Sequence, residues 1–162
     1  MAVAEDFTIE EKEEQERMVL ESVDRFLERD VEPFAHDLEA DDTYPQEIVD
    51  KMVDMGLFGA TIGMEYGGLG LSVSTYAKIV ERVSTVWMSV SGIFNSHLIM
   101  AAAVERSGTE EQKAKWLPKF ASGELRGGIA LTEPDAGTDL QGIRTRADKS
   151  GNGYALNGAK TW

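Results

Sequence analysis

The residues best suited to chemistry lie together at 129–139, reading I-A-L-T-E-P-D-A-G-T-D. Hydroxyls stand at Thr132 and Thr138, on either side of a Pro134-Asp135-Ala136-Gly137 turn. Pro presets one φ angle there, and Gly permits a positive one. The apolar run before the turn is short and flanked by glycines, which predicts a buried strand over residues 128–131. A strand end that runs into such a turn leaves several backbone N–H groups unpaired and pointing one way. That arrangement suits an anion or the polar edge of a heterocycle. Glu133 and Asp139 flank the turn and form a candidate acid/base pair of carboxylates. Each hydroxyl also has a plain reading as an ordinary strand or turn residue.

Other chemistries find little support. The chain has no cysteine, which excludes disulfides, thiolate catalysis and Cys-based zinc sites. With only His36 and His97, no multi-histidine metal centre is expected, and we assign no metal ligand. The net charge of −13 argues against nucleic acid and against anionic membrane surfaces. Residues 1–6 lack a basic region followed by an apolar one, so no signal peptide is expected and a cytoplasmic protein is the default. The weakly polar stretch 83–104 carries Ser, Asn and His at intervals, and reads as a buried helical region instead of a bilayer span.

The elements that must position the 129–139 stretch fall into a helical part and a β part. Thr8-Ile9-Glu10-Glu11 is a capping box that starts a helix at Ile9. Pro33 marks its end or a shorter turn, and Pro45 opens a second helix that stops at Gly56. Residues 63–70, G-M-E-Y-G-G-L-G, resemble a phosphate loop in composition only; without the Lys-Ser/Thr pair they read as a tight connection. A third helix runs from Ser72 to Val83. A fourth, from about Met88, is apolar on nearly every side and belongs at the centre. In it His97 reads as a satisfied core histidine, and Asn95 needs a hydrogen-bond partner. Thr109-Glu110-Glu111-Gln112 caps a short helix that Pro118 breaks and restarts. After Gly123 the period changes: residues 127–131, 144–148 and 154–156 read as strands, residues 149–153 as a hairpin turn, and residues 159–162 as the start of a fourth strand. The expected class is α+β, with a helical domain at 1–123 and the beginning of a β domain at 124–162 that cannot close a core of its own.

These residues resemble a known family, the flavin-dependent acyl-CoA dehydrogenases. Residues 131–140, L-T-E-P-D-A-G-T-D-L, are similar to its first signature, and residues 157–162, N-G-A-K-T-W, to the opening of its second flavin-contacting segment. Tyr66-Gly67-Gly68-Leu69-Gly70, the run 108–113 (G-T-E-E-Q-K), and Leu117-Pro118 with Ser122-Gly123 match in order and spacing. The resemblance implies a helical N-terminal domain, a middle β-barrel and a C-terminal helical bundle, of which this sequence carries the first and the start of the second. It implies FAD, an acyl-CoA thioester substrate, fatty-acid metabolism, electron-transferring flavoprotein as oxidant, and a homotetramer. Carried over by position, Ile129, Leu131, Thr132, Gly137, Thr138 and Trp162 would contact the flavin, with Thr132 near flavin N5 and Gly137 and Thr138 near the pyrophosphate. Thr138 would also approach the substrate, and Asn95, Ser96 and Ile99 would line the far end of the acyl pocket.

In the family the base that removes the α-proton comes from the C-terminal part, so no catalytic residue is assigned here, and Glu133 and Asp139 are not called catalytic. Oxidases and flavin monooxygenases share these signatures. A decarboxylating glutaryl-CoA type fits less well, because Thr85 stands where that subgroup has Arg, while Ile93, Phe94 and Ile99 suit an aliphatic chain. The alternative from another class is a catalytically inactive helical interaction module or partner subunit with the same fold.

Overall fold

A computed structural model describes residues 8–162, apart from the side chains of Ile9 and Lys12; the signal-peptide reading of residues 1–6 lies outside them. The described residues form two compact units, the first ending at Gly127 and the second comprising Gly128–Trp162.

The first unit is helical. Helix α1 spans Ile9–Phe26, and Thr8 caps it by accepting from Glu11 N while the Glu11 carboxylate returns to Thr8 N–H. It runs through a π-helical segment, Leu27–Val31, into α2, Glu32–Ala40, where Pro33 sits in the first turn. The π segment turns Asp30 inward. Its buried carboxylate accepts from Arg29 at 2.8 Å and from Lys51 Nζ at 2.7 Å, and these bonds hold its pKa at about 2. Helix α3, Gln46–Asp54, follows Pro45 and ends at Gly56, whose left-handed φ of 73° turns the chain into the buried residues Leu57 and Phe58.

The glycine-rich run 63–70 is a tight connection, as expected. Gly67 is left-handed, and Gly68 passes so close to the Ile62 carbonyl that no side chain fits there. Two bonds at 2.9 Å, Leu69 N to Gly59 O and Gly70 N to Ile62 O, pin the loop down.

Helix α4, Val73–Ser107, consists of two helical arms joined at a kink. Trp87 takes φ −153° and ψ 102°, and the chain folds back there. The Tyr76 hydroxyl donates to Asn95 Oδ1 at 2.6 Å, although 19 residues of straight helix span about 28 Å. The third and fourth helices expected from sequence are therefore the two arms of α4. The Ser84 hydroxyl donates to Ser91 Oγ across the bend at 3.1 Å, while Thr85 donates to the Arg82 carbonyl and Ser91 to the Met88 carbonyl, both at 2.7 Å. By length and composition α4 could cross a membrane. Instead, Ile79, Val83, Val90 and Phe94 are fully buried in the core of this unit, with Val23, Met52, Phe58 and Leu117. Helix α5, Glu110–Ala121, has the Thr109 capping box. It runs unbroken through Pro118, contrary to expectation. Buried Leu117 and Phe120 on either side of the proline hold that turn in place.

The second unit contains one antiparallel hairpin, β1 (Arg146–Ser150) and β2 (Gly153–Asn157), paired from Arg146↔Asn157 to Ser150↔Gly153. Gly151 turns it with a φ of 58°. The strands expected at 127–131 and 159–162 do not form among the described residues, and Ile129 and Leu131 are 41% and 46% exposed instead of buried. Strand geometry persists only in a ladder, and a single backbone bond, Thr161 N to Thr132 O at 3.0 Å, joins these two runs.

Candidate functional site

In the second unit the Pro134 turn is closed by reciprocal bonds, Glu133 N to Ala136 O at 2.8 Å and Ala136 N to Glu133 O at 3.2 Å. Gly137 does not use a left-handed φ, so the sequence reading of its role fails; a side chain there would meet only open space. Asp139 caps the next turn by accepting from Gln141 N at 3.1 Å.

Glu133 is buried and fully engaged. One carboxylate oxygen accepts from Arg144 N at 2.7 Å. The other accepts from Thr145 N at 2.9 Å and from Lys160 Nζ at 3.0 Å. The Thr145 side chain beside it, these N–H donors and the ammonium hold its pKa at about 2. A permanently ionised acceptor of this kind cannot deliver or collect a proton near neutrality, so the candidate acid/base pair is a pair of structural groups. Lys160 Nζ also donates to the Leu131 carbonyl at 3.0 Å. The runs 129–132 and 160–162 are thus laid side by side by Glu133, Lys160 and the Thr161–Thr132 bond. Sequence reasoning quoted Lys160 within its motif but gave it no part.

What this framework leaves open is an apolar, donor-edged surface. Ile129, Leu131 and Trp162 are exposed, Thr132 is half-buried, and Gly137 and Thr138 are exposed. The backbone N–H groups of Leu131, Thr132, Gly137 and Thr138 have no acceptor among the described residues, and the buried Thr161 hydroxyl has no partner. Exposed apolar side chains beside unused donors suit a flat heteroaromatic ring with acceptors along its edge.

In the first unit, Asn95, Ser96 and Ile99 lie on the second arm of α4. Ser96 and Ile99 are exposed, and Asn95 is half-buried. Asn95 has the partner its position requires, the Tyr76 hydroxyl, whose pKa burial pushes up to about 12, so that it stays a neutral donor. No local pattern in the sequence points to Tyr76, because its contact exists only through the fold at Trp87. His97 is a core histidine, as expected. Its Nε2 bonds the Phe120 carbonyl at 3.1 Å, and its Nδ1 accepts from Gly127 N at 3.3 Å. This pattern belongs to the neutral ring protonated on Nε2. Phe58 and Phe120 pack edge-on against it at 5.3 and 5.7 Å, and burial pushes its pKa down.

Comparison with known proteins places this architecture. Residues 13–124 match the family described as acyl-CoA dehydrogenase, N-terminal domain. A (2S)-methylsuccinyl-CoA dehydrogenase from Cereibacter sphaeroides is 39% identical over 93% of this chain and 28% of its own length. The structure of butyryl-CoA dehydrogenase from Megasphaera elsdenii superposes with a TM-score of 0.83 and 31% identity over 96% of this chain and 41% of its own. An acyl-CoA dehydrogenase from Bacillus anthracis, complexed with FAD, does so at 0.79 and 31% over 99% and 28%. The chain therefore spans well under half the length of these relatives. The T-E-P-D-A-G-T-D turn, the bent central helix and the glycine loop occur here in a chain whose greater part matches one family, and the chain belongs to the acyl-CoA dehydrogenases, as their N-terminal helical domain followed by the start of the β domain.

Proposed function

We propose that the chain takes part in α,β-dehydrogenation of an acyl-CoA thioester, with residues 129–138 and 161–162 forming one wall of an FAD site. The observation that carries this reading is the apolar, donor-edged surface held open by the Glu133–Lys160 pair. The residues present fit a flavin. The exposed side chains of Ile129, Leu131 and Trp162 suit its ring, the free N–H groups of Leu131 and Thr132 suit its acceptor edge, and open space at Gly137 with the Thr138 N–H suits a phosphate. FAD, when bound, supplies a hydride acceptor.

The chain's own residues bind and orient. The Thr132 hydroxyl donates towards the ring, and Thr138 serves both phosphate and substrate. On the substrate side we assign Asn95, Ser96 and Ile99 to the acyl chain; Tyr76 fixes the Asn95 amide by donating to its oxygen. No residue here is assigned the α-proton. Acyl-CoA as substrate, electron-transferring flavoprotein as oxidant and a homotetrameric assembly are part of the same proposal and rest on family membership.

The test is to purify the protein, titrate it with FAD, and add acyl-CoA thioesters of increasing length without oxygen. Flavin that co-purifies or binds, and whose visible spectrum shifts when an acyl-CoA is added, is the expected result; bleaching is not, because no residue of this chain is assigned the α-proton. Protein that folds but takes up no FAD would overturn the flavin reading and favour a helical interaction module.

A further inference from the structure

We propose that Glu133 is a positioning residue for the flavin wall, acting with Lys160 to set the run 129–132 and the run 160–162 in one frame. This inference rests on the flavin reading above and deepens it.

The two runs are 29 residues apart in sequence and share no strand ladder. Three interactions join them, and two more anchor the Glu133 carboxylate. Lys160 Nζ bonds both the Leu131 carbonyl and a Glu133 oxygen, each at 3.0 Å. That oxygen also takes Thr145 N, and its twin takes Arg144 N. Thr161 N then meets Thr132 O at 3.0 Å. Every partner of the carboxylate is a donor. An amide at this position cannot imitate it, because either orientation of its NH2 sets a donor against Arg144 N or against both Thr145 N and Lys160. Charge and double acceptance are both required, and only a carboxylate supplies them.

Position follows from connectivity. Glu133 is bonded through the chain to Thr132, and Lys160 to Thr161, whose neighbour is Trp162. Loosening the clamp frees the Thr132 hydroxyl on one side and the Trp162 ring on the other. Neither Glu133 nor Lys160 need touch the flavin for this to alter how it is held.

The experiment compares Glu133→Gln, Lys160→Met and Lys160→Arg with the wild-type protein. Amide hydrogen exchange at Thr161 is read without flavin, and FAD affinity and the visible circular dichroism of the bound flavin are read with it. We expect Glu133→Gln and Lys160→Met to speed Thr161 exchange and weaken FAD binding, each by about tenfold, the scale of losing a charge-assisted bond. The flavin dichroism should change in both, and Lys160→Arg should restore most of it. Lys160 is partly exposed, so its variants carry the test if Glu133→Gln does not fold. Unchanged exchange overturns the clamp. Faster exchange with unchanged affinity and dichroism overturns its positioning role. Wild-type protein that binds no FAD overturns the flavin reading itself, and with it this inference. That failure is distinct, because it appears before any substitution is made.

Discussion

Replacing His97 with Leu tests the central arm of α4 most directly. The ring is fully buried, and it joins α4 to the Phe120 carbonyl near the end of α5 and to the Gly127 amide beyond it. Leucine has similar bulk but no polar atom. The Phe120 carbonyl keeps a second donor, Gly123 N at 3.1 Å, and Gly127 is exposed enough to turn to water. The hydrogen-bond loss is therefore about 1 kcal/mol, below the cost of an orphaned group. The edge-on contacts with Phe58 and Phe120 contribute about 1 kcal/mol more. A deficit of about 2 kcal/mol, in a chain of this size, lowers Tm by about 4–8 °C near pH 8.

The pH dependence of that deficit is the sharper test. Burial lowers the folded-state pKa of His97 below its ordinary value of 6.5, and the nearby charge of Arg126 works in the same direction. Between the folded and unfolded pKa values the unfolded chain binds the extra proton, so the wild-type protein loses stability as pH falls through 6.5. The slope is at most about 1.4 kcal/mol per pH unit. His97→Leu has no such proton to bind. Its deficit should therefore shrink from pH 8 towards pH 5, measured by denaturant melts at each pH. A deficit that stays constant would mean that His97 is not a buried neutral ring. One that grows would mean that the folded state protonates it, and either result refutes the reasoning.

Other outcomes follow from the same structure. Gly68→Ala drives a methyl into the Ile62 carbonyl and breaks the loop's pinning bonds, and should cost about 1–3 kcal/mol in thermal or denaturant melts. Tyr76→Phe removes only the hydroxyl that bonds Asn95 and should cost about 1 kcal/mol in denaturant melts. Asp30 is held at about 2 by Arg29 and Lys51, against an ordinary 3.8. Its contribution is complete above about 3.8 and lost as pH falls through about 2, so Asp30→Asn should flatten the acid-unfolding curve in that window.

The parts of this fold that were legible are those set by neighbours in sequence. Thr8 and Thr109 cap because the residue three places on supplies the return bond, and Gly56 stops α3 because it alone accepts a left-handed φ cheaply. The reading failed where a residue's state depends on a distant partner. An apolar run between glycines looked like a buried strand, but burial and strand form both come from a neighbouring strand, and residues 128–131 have one backbone bond in place of a ladder. Pro118 looked like a break because its missing N–H is a local fact, whereas the packing of Leu117 and Phe120 that carries the helix past it is not.

The candidate site divides in the same way. Thr132, Thr138 and the turn could be named from types and spacing. Glu133 could be named too, and set aside as a catalyst through the resemblance, but its structural part stays hidden until its partners are known. Those partners lie 11, 12 and 27 residues further along the chain. They turn a titratable group into a fixed anion, and a fixed anion holds geometry instead of moving protons. The hydrogen-bonding capacity this stretch leaves unspent is thus the Thr132 hydroxyl and the free N–H groups around it, and those are the groups the proposed flavin reading uses.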